Sequence, residues 1–310
     1  MKLTLTWAIL WFFVIQFYAE DTMTPPTPKP LTAEERFVLL DKGTERPFTG
    51  KFYQHNAAGV YTCRQCGAAL YRSSDKFASD CGWPAFDDAI TGAVKQIPDA
   101  DGRRTEILCN HCGGHLGHVF TGEKLTAKNT RYCVNSLSMD FVPAADFDRY
   151  FKHAVVAGGC FWGVEYYFDR TPGVISAVSG YTGGSVVNPS YEQVCSGKTG
   201  HVEAVDILYD PRTTSYENIL KLFFEIHDPT QANGQGPDIG NQYLSKIFYY
   251  NEEERQTAEK LIARLRQKGF AVQTALAPAT VFYPAEAYHQ NYYLRHQKTP
   301  YCHIPVKRFD

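Results

Sequence analysis

Four thiols in two pairs constrain this chain more than any other feature. Cys63 and Cys66 form CRQC, Cys109 and Cys112 form CNHC, and 42 residues separate the pairs. That spacing is the pattern of a tetrahedral four-thiolate zinc site; the alternatives are two independent redox pairs or a pair of disulfides. A glycine follows each pair, Gly67 and Gly113, and lets the backbone turn so that its amides face the sulfurs. Four protein ligands leave no open coordination position, so such a metal holds a fold and performs no chemistry.

The segments around the knuckles agree with that reading. From residue 51 to 141 they are short, punctuated by glycine and alternating, as in GVYTC, AVKQI and TEILC, which predicts a small, mainly antiparallel β domain. Ahead of it a short helix is expected, capped by Thr32 with Glu35 three residues on, then a turn at Lys42 and Gly43. The stretch MDFVPAADFDRYFKH, with Pro143, reads as a boundary: a first domain at 31–143, a linker at 144–151 and a second domain at 152–310. Beyond it HAVVAGG, GVISAVSGY, HVEAVDILYD, YLSKIFYY and AVQTALA read as strands. Between them CFWGVEYYFDR reads as an amphipathic helix, a second starts from Thr214 with Glu217 completing a capping box, and NEEERQTAEKLIARLRQKGF reads as a surface helix. Strands alternating with helices predict an α+β or α/β layer fold, distinct from the first half.

At 310 residues the chain has room for two such domains. Its formal charge of −2, with no run of Lys or Arg, excludes the basic stripe that a nucleic-acid backbone requires. After Lys2 the stretch 3–19 is apolar but short for a spanning helix, so residues 1–20 read as an export signal. Phe17, two before Ala19, is a poor cleavage-site residue, which keeps an uncleaved membrane anchor as the alternative. The Pro-rich DTMTPPTPKP at 21–30 reads as a tether, and the expected location is periplasmic or otherwise extracytoplasmic.

Five cysteines remain. Cys81 lies in a turn near Trp83, Cys133 lies beside Arg131, Cys195 borders a polar loop, and Cys302 sits in a Pro-flanked tail read as mobile. Any one of these alone reads equally well as a small buried apolar residue. Cys160 differs, because strand, Gly158-Gly159, then helix puts its sulfur at a helix N-terminus, where unpaired amides favour the thiolate. Cys160 is therefore read as a nucleophile.

The surrounding motifs then resemble known families. GGCFWG, GYTGG, NPSYEQVCSG, GHVEAV and DPTQ in the second half are similar to peptide methionine sulfoxide reductase A. GTERPFTG, CGWPAF, the two knuckles, HLGHVF and RYCVNS in the first half are similar to methionine sulfoxide reductase B. The pair repairs the two epimers of oxidised methionine.

The resemblance implies a bifunctional enzyme acting on oxidised proteins. In its second domain Cys160 attacks the sulfoxide sulfur, Phe161 and Trp162 line the methyl pocket, and Glu203, Tyr191 and Tyr243 hold and protonate the sulfoxide oxygen with Asp238 nearby. An acid of raised pKa in an apolar pocket is what that leaving group requires. Cys302 matches the recycling thiol. In the first domain Cys133 matches the nucleophile, Cys81 the resolving thiol, Trp83 the methyl-pocket tryptophan, and His115, His118 and Asn135 the residues that orient and protonate substrate. Cys195 matches a cysteine without catalytic duty and is read as structural, with a thiol relay as the alternative. Thioredoxin, or an exported thioredoxin-like protein, is the implied reductant, and one structural Zn2+ the implied metal. Two departures stand out: TGEKLTAKNT replaces the usual loop before RYC, and Asp80 precedes Cys81 where glycine is usual. A reading from another class is a zinc-knuckle thiol switch that senses oxidants without repair; Glu203 and the aromatic pockets favour the enzyme, since a sensor needs neither.

Overall fold

The computed structural model describes residue 27 and residues 30–309; the expected export signal and most of the tether lie outside the described residues. Among the described residues no helix is long and apolar enough to cross a membrane.

The chain opens with α1 (Ala33–Leu39). The Thr32 hydroxyl accepts the Glu35 amide at 3.2 Å and the Glu35 carboxylate accepts the Thr32 amide at 2.8 Å, a complete capping box. Nine strands follow: β1 (Gly59–Cys63), β2 (Ala69–Arg72), β3 (Lys76–Phe77), β4 (Ala85–Phe86), β5 (Val94–Pro98), β6 (Thr105–Cys109), β7 (His115–Thr121), β8 (Thr130–Val134) and β9 (Met139–Pro143). They form two sheets, ordered β2-β1-β9 and β3-β4-β8-β7-β6-β5, and every pairing is antiparallel. The core between them is aromatic: Tyr71 and Phe86 stack with centroids 4.4 Å apart, and Tyr61 meets Phe86 edge-on at 5.0 Å.

Residues 144–151 are more than a linker. They form a 3₁₀ turn and α2 (Phe147–Tyr150), and Phe151 is buried. The second domain holds β10 (Lys152–Ala157), α3 (Phe161–Phe168), β11 (Val174–Thr182), α4 (Tyr191–Cys195), β12 (Val202–Tyr209), α5 (Tyr216–Ile226), β13 (Gly234–Gln235), β14 (Asp238–Ile239), β15 (Lys246–Tyr249), α6 (Glu252–Gln267), β16 (Ala275–Pro278), β17 (Tyr283–Pro284) and α7 (Tyr292–Arg295). Its main sheet runs β16-β15-β10-β12-β11-β17. Both β10 and β11 pair antiparallel with β12, so β10-α3-β11 is a split unit whose parallel strands admit β12 between them. Among the described residues only β15 and β16 pair in parallel, which makes the layer α+β. Helix α5 starts one residue later than the sequence suggests and has no capping box. The amides of Thr213 and Thr214 are committed to the Asp210 carbonyl at 3.0 Å, so Ser215 becomes the cap and accepts the Asn218 amide at 3.2 Å.

The two halves dock through a shared apolar cluster of Val60, Ala69, Ile90 and Val142 from the first and Phe151, Ile175 and Leu208 from the boundary and second. Asp210, fully buried, accepts the Ala69 amide at 2.8 Å across this contact. Arg72 donates to the Ile175 carbonyl, and Thr91 donates to the carbonyl of Asp169 at the end of α3.

Candidate active sites and metal centre

The two knuckles fold alike. The Gly67 amide donates to Cys63 O and the Gly113 amide to Cys109 O, both at 2.8 Å, and both glycines take a φ of 77°. This brings Cys63 and Cys112 sulfurs to 3.6 Å and those of Cys66 and Cys109 to 3.7 Å, with all four sulfurs within 4.8 Å of one another. Tetrahedral bonds of about 2.3 Å to zinc require sulfurs about 3.8 Å apart, so the cluster fits such an ion.

The first thiol pair is built on β8 and the turn before β4. Register places His118 and Ala85 on either side of Cys133, and the turn after Ser79 brings Cys81 sulfur to 3.7 Å from Cys133 sulfur. The hydrogen bond from Cys133 and that from Ser79 push Cys81 down to about 5 against the effect of burial, while the same contact and burial push Cys133 up. Arg131 opposes that rise, and it is held by both carboxylate oxygens of Glu123 at 2.7 Å and by the Phe120 ring. Beside Cys133 lies a cavity of about 100 Å³ lined by Thr44, Trp83, Arg104, His118, Phe120 and Asn135 among others.

The residues around that cavity divide by what holds them. Trp83 is fixed by its indole N–H on the Glu45 carbonyl at 3.1 Å. His118 meets Asp99 at 2.5 Å, which holds the Asp99 carboxyl low. His115 is buried on Glu106 at 2.7 Å, and burial lowers its pKa. Asn135 lines the cavity and also holds backbone: its oxygen accepts the Glu45 amide and its nitrogen donates to Leu116 O, both at 3.0 Å. Asp80 takes a left-handed φ of 52°, the conformation glycine supplies without strain. Sequence reading left out Asp99, Glu106 and Glu45; the only signal was an acid at an inward position, as in TEILC.

The second thiol, Cys160, is the N-cap of α3, reached through Gly159 at φ 93°. A Cβ on Gly159 would lie 2.3 Å from Gln235, so the turn admits glycine alone without rearrangement. The amide of Phe161 is not left for the sulfur: it donates to Glu203 at 3.1 Å. The expected help from the helix comes from the Trp162 amide alone, and other groups outweigh it. The Cys302 contact, burial and the Glu203 charge push Cys160 up, opposed by the Trp162 amide. Cys302 is pushed down to about 5, by Cys160 first and then His303 against burial.

Glu203, on β12, is buried and its pKa rises to about 8 because burial penalises the charged form. Tyr191 and Tyr243 stand close enough for the Glu203 charge to add to the upward effect of their own burial. Asp238 is raised by burial and then by Cys302, and its Oδ2 is buried without a partner. Phe161 is buried against Tyr181 and His289, while Trp162 stacks on Tyr292 at 3.7 Å and donates its indole N–H to His289 Nδ1 at 3.0 Å. The structure thus brings Cys160, Glu203, Tyr243, Asp238 and Cys302 together, and adds His289 and Tyr292, which sequence reasoning missed. Cys302 is no mobile tail: it is buried, the Tyr167 hydroxyl donates to His303 O at 2.9 Å, and Val306 donates to Glu225 O at 2.8 Å. Cys195, read as structural, is exposed at the end of α4 within reach of the Tyr191 hydroxyl.

One mainly antiparallel β domain and one α+β domain, each with a thiol pair set among aromatic rings and acids, define a two-domain oxidoreductase. Residues 152–310 match the family model of peptide methionine sulfoxide reductase, and residues 31–143 match the SelR domain. Peptide methionine sulfoxide reductase MsrA of Nautilia profundicola is 51% identical over 149 residues, 48% of this chain and 86% of that protein. That of Saccharolobus solfataricus is 49% identical over 154 residues, 49% of this chain and 87% of the other. The crystal structure of reduced Mxr1 from Saccharomyces cerevisiae is 30% identical and covers 50% of this chain and 92% of that one, with a TM-score of 0.48. The chain belongs to the peptide methionine sulfoxide reductases, a SelR (MsrB) domain followed by an MsrA domain, and reduces the R and S epimers of methionine sulfoxide respectively.

Proposed function

We propose that both domains reduce oxidised methionine in proteins through a thiol, sulfenic acid and disulfide cycle. The observation that carries this is a second cysteine beside each proposed nucleophile: Cys81 sulfur lies 3.7 Å from Cys133 sulfur, and Cys302 is near enough to Cys160 to be the first cause of its raised pKa. In the second domain Cys160 bonds the sulfoxide oxygen's sulfur centre while protonated Glu203, assisted by Tyr191 and Tyr243, donates to that oxygen. Methionine leaves, and the oxygen remains on Cys160 as a sulfenic acid. Cys302 then forms a disulfide with Cys160 and water departs. Phe161 and Trp162 seat the substrate methyl.

In the first domain the shared proton rests on Cys133 while Cys81 lies beside it. When the Cys81 turn swings away, Cys133 loses its charged neighbour and keeps Arg131, which favours its thiolate. His118 and His115 serve the sulfoxide oxygen, and Trp83 the methyl group. Cys63, Cys66, Cys109 and Cys112 would hold one Zn2+, which supplies only cross-linking of the two knuckles. Both disulfides need an outside dithiol, and a thioredoxin-like protein fits that chemistry. Export rests on the apolar segment at 3–19.

The test is turnover of separated epimers of a sulfoxide peptide by Cys133→Ser and Cys160→Ser variants of the full chain. Cys133→Ser is expected to lose the R epimer alone and Cys160→Ser the S epimer alone. If either variant still reduced both, the assignment of nucleophiles would be wrong.

A further inference from the structure

The tail that carries Cys302 also carries a group the cycle above leaves unused. His303 is fully buried, with Nε2 at 2.8 Å from the Gly158 carbonyl oxygen and Nδ1 at 3.1 Å from Cys302 Sγ. A carbonyl oxygen only accepts, so Nε2 carries the hydrogen and Nδ1 presents its lone pair to the thiol. The seat of the ring is built into α3: a Cβ on Gly163 would fall 2.2 Å from His303 Nδ1, and the Tyr167 hydroxyl holds the His303 carbonyl at 2.9 Å. Gly158 belongs to the turn that presents Cys160. One imidazole therefore spans the nucleophile's turn and the second thiol.

We propose that His303 is the general base that takes the Cys302 proton as Cys302 attacks the sulfenic acid of Cys160. This rests on the thiol cycle proposed above. In the reduced site the Cys160 thiol is the first cause of the lowered Cys302 pKa, and that partner is lost once Cys160 is a sulfenic acid. The Cys302 S–H proton then passes to Nδ1, the Cys302 sulfur bonds the Cys160 sulfur, and the Cys160 S–O bond breaks. The departing hydroxide takes the proton from Nδ1 and leaves as water. The sulfenic sulfur is reduced as the thiol sulfur is oxidised, so no further reactant is needed.

The groups that face this pair come from several elements. Cys160 and Tyr167 belong to the N-cap and body of α3, Glu203 to β12, Asp238 to β14, Tyr293 to α7 and Tyr301 to the tail itself. His227, beyond Gly158, is committed to Phe223 O at 2.6 Å and Ser245 Oγ at 2.8 Å, and burial lowers its pKa to about 3. It is no rival base. Asp238 and the Glu203 left deprotonated by the first step are the rivals, and His303 is favoured by its 3.1 Å contact with Cys302 Sγ and by the lone pair that its carbonyl partner aims at that sulfur.

The experiment is a single turnover of the full chain with the S epimer of a sulfoxide peptide and no reductant, following methionine release and closure of the Cys160–Cys302 disulfide separately. In His303→Gln, whose amide can still donate to Gly158 O, methionine release is expected to continue while closure at pH 7 slows about 100-fold, as for loss of a general base. Dimedone then traps the sulfenic acid on Cys160. Closure should recover toward about pH 9, where a free thiol ionises unaided. Closure at the native rate, slowing without recovery at high pH, or slowing in Asp238→Asn alone would overturn the assignment. If the native chain itself released methionine without forming the Cys160–Cys302 disulfide, the cycle would fail, and the base with it.

Discussion

Replacing Glu203 by Gln separates two consequences of burying one acid. The side chain keeps its shape and can still accept the Phe161 amide that Glu203 holds at 3.1 Å. Buried Glu203 titrates at about 8 rather than 4.5, so near neutral pH it is a carboxylic acid able to donate to the sulfoxide oxygen. Loss of a general acid costs about 10²–10⁴ in rate. For stability the sign is fixed by the raised pKa: between 4.5 and about 8 the folded chain binds a proton the unfolded chain has lost. The stabilisation is full below 4.5 and disappears as pH rises through about 8, and the gap corresponds to about 5 kcal/mol as an upper bound. The assay is kcat/KM for the S epimer and the urea midpoint of the full chain, each across pH 6 to about 9. Glu203→Gln should lose most S-epimer turnover at pH 7, keep R-epimer turnover, and show a midpoint less sensitive to pH than the native chain. A variant with native S-epimer turnover, or one whose stability still falls through pH 8 as steeply as the native chain's, would refute the reasoning.

Other perturbations report on different parts of the molecule. Prolonged chelation, or Cys66→Ala, should abolish R-epimer turnover while S-epimer turnover persists, with metal analysis giving one zinc per native chain. Asp210→Ala leaves the buried Ala69 amide without its acceptor, and about 1–3 kcal/mol of domain docking should be lost, read as a lower urea midpoint. Phe86→Ala removes the ring stacked on Tyr71 at 4.4 Å and should cost the first domain about 3–5 kcal/mol, so that R-epimer turnover fails at lower urea than S-epimer turnover. An unchanged midpoint in either variant would count against the corresponding packing account.

The sequence alone determined what is written locally. Two CxxC turns with a glycine after each, a capping box at Thr32 and Glu35, and a cysteine after Gly158-Gly159 are short-range patterns, and the backbone adopts them for reasons contained in a few residues. The alternation of strands and helices was equally legible, because burial on one face imposes its period on the chain. Tertiary structure decided how each acid and each thiol behaves. Glu165 occupies the buried stripe of α3 because Ser179 and the Asn291 amide meet its carboxyl, and burial lifts it to about 7; nothing near it in sequence announces those partners. The helix start at Cys160 was legible, yet the Phe161 amide goes to Glu203, 42 residues further on, and Cys302, burial and the Glu203 charge raise the thiol. The tail after Pro300 looked free, yet His303 is fixed on a carbonyl 145 residues earlier. Local sequence sets where the backbone can turn, but a group's protonation depends on the charges and dipoles around it, and only the folded chain assembles those.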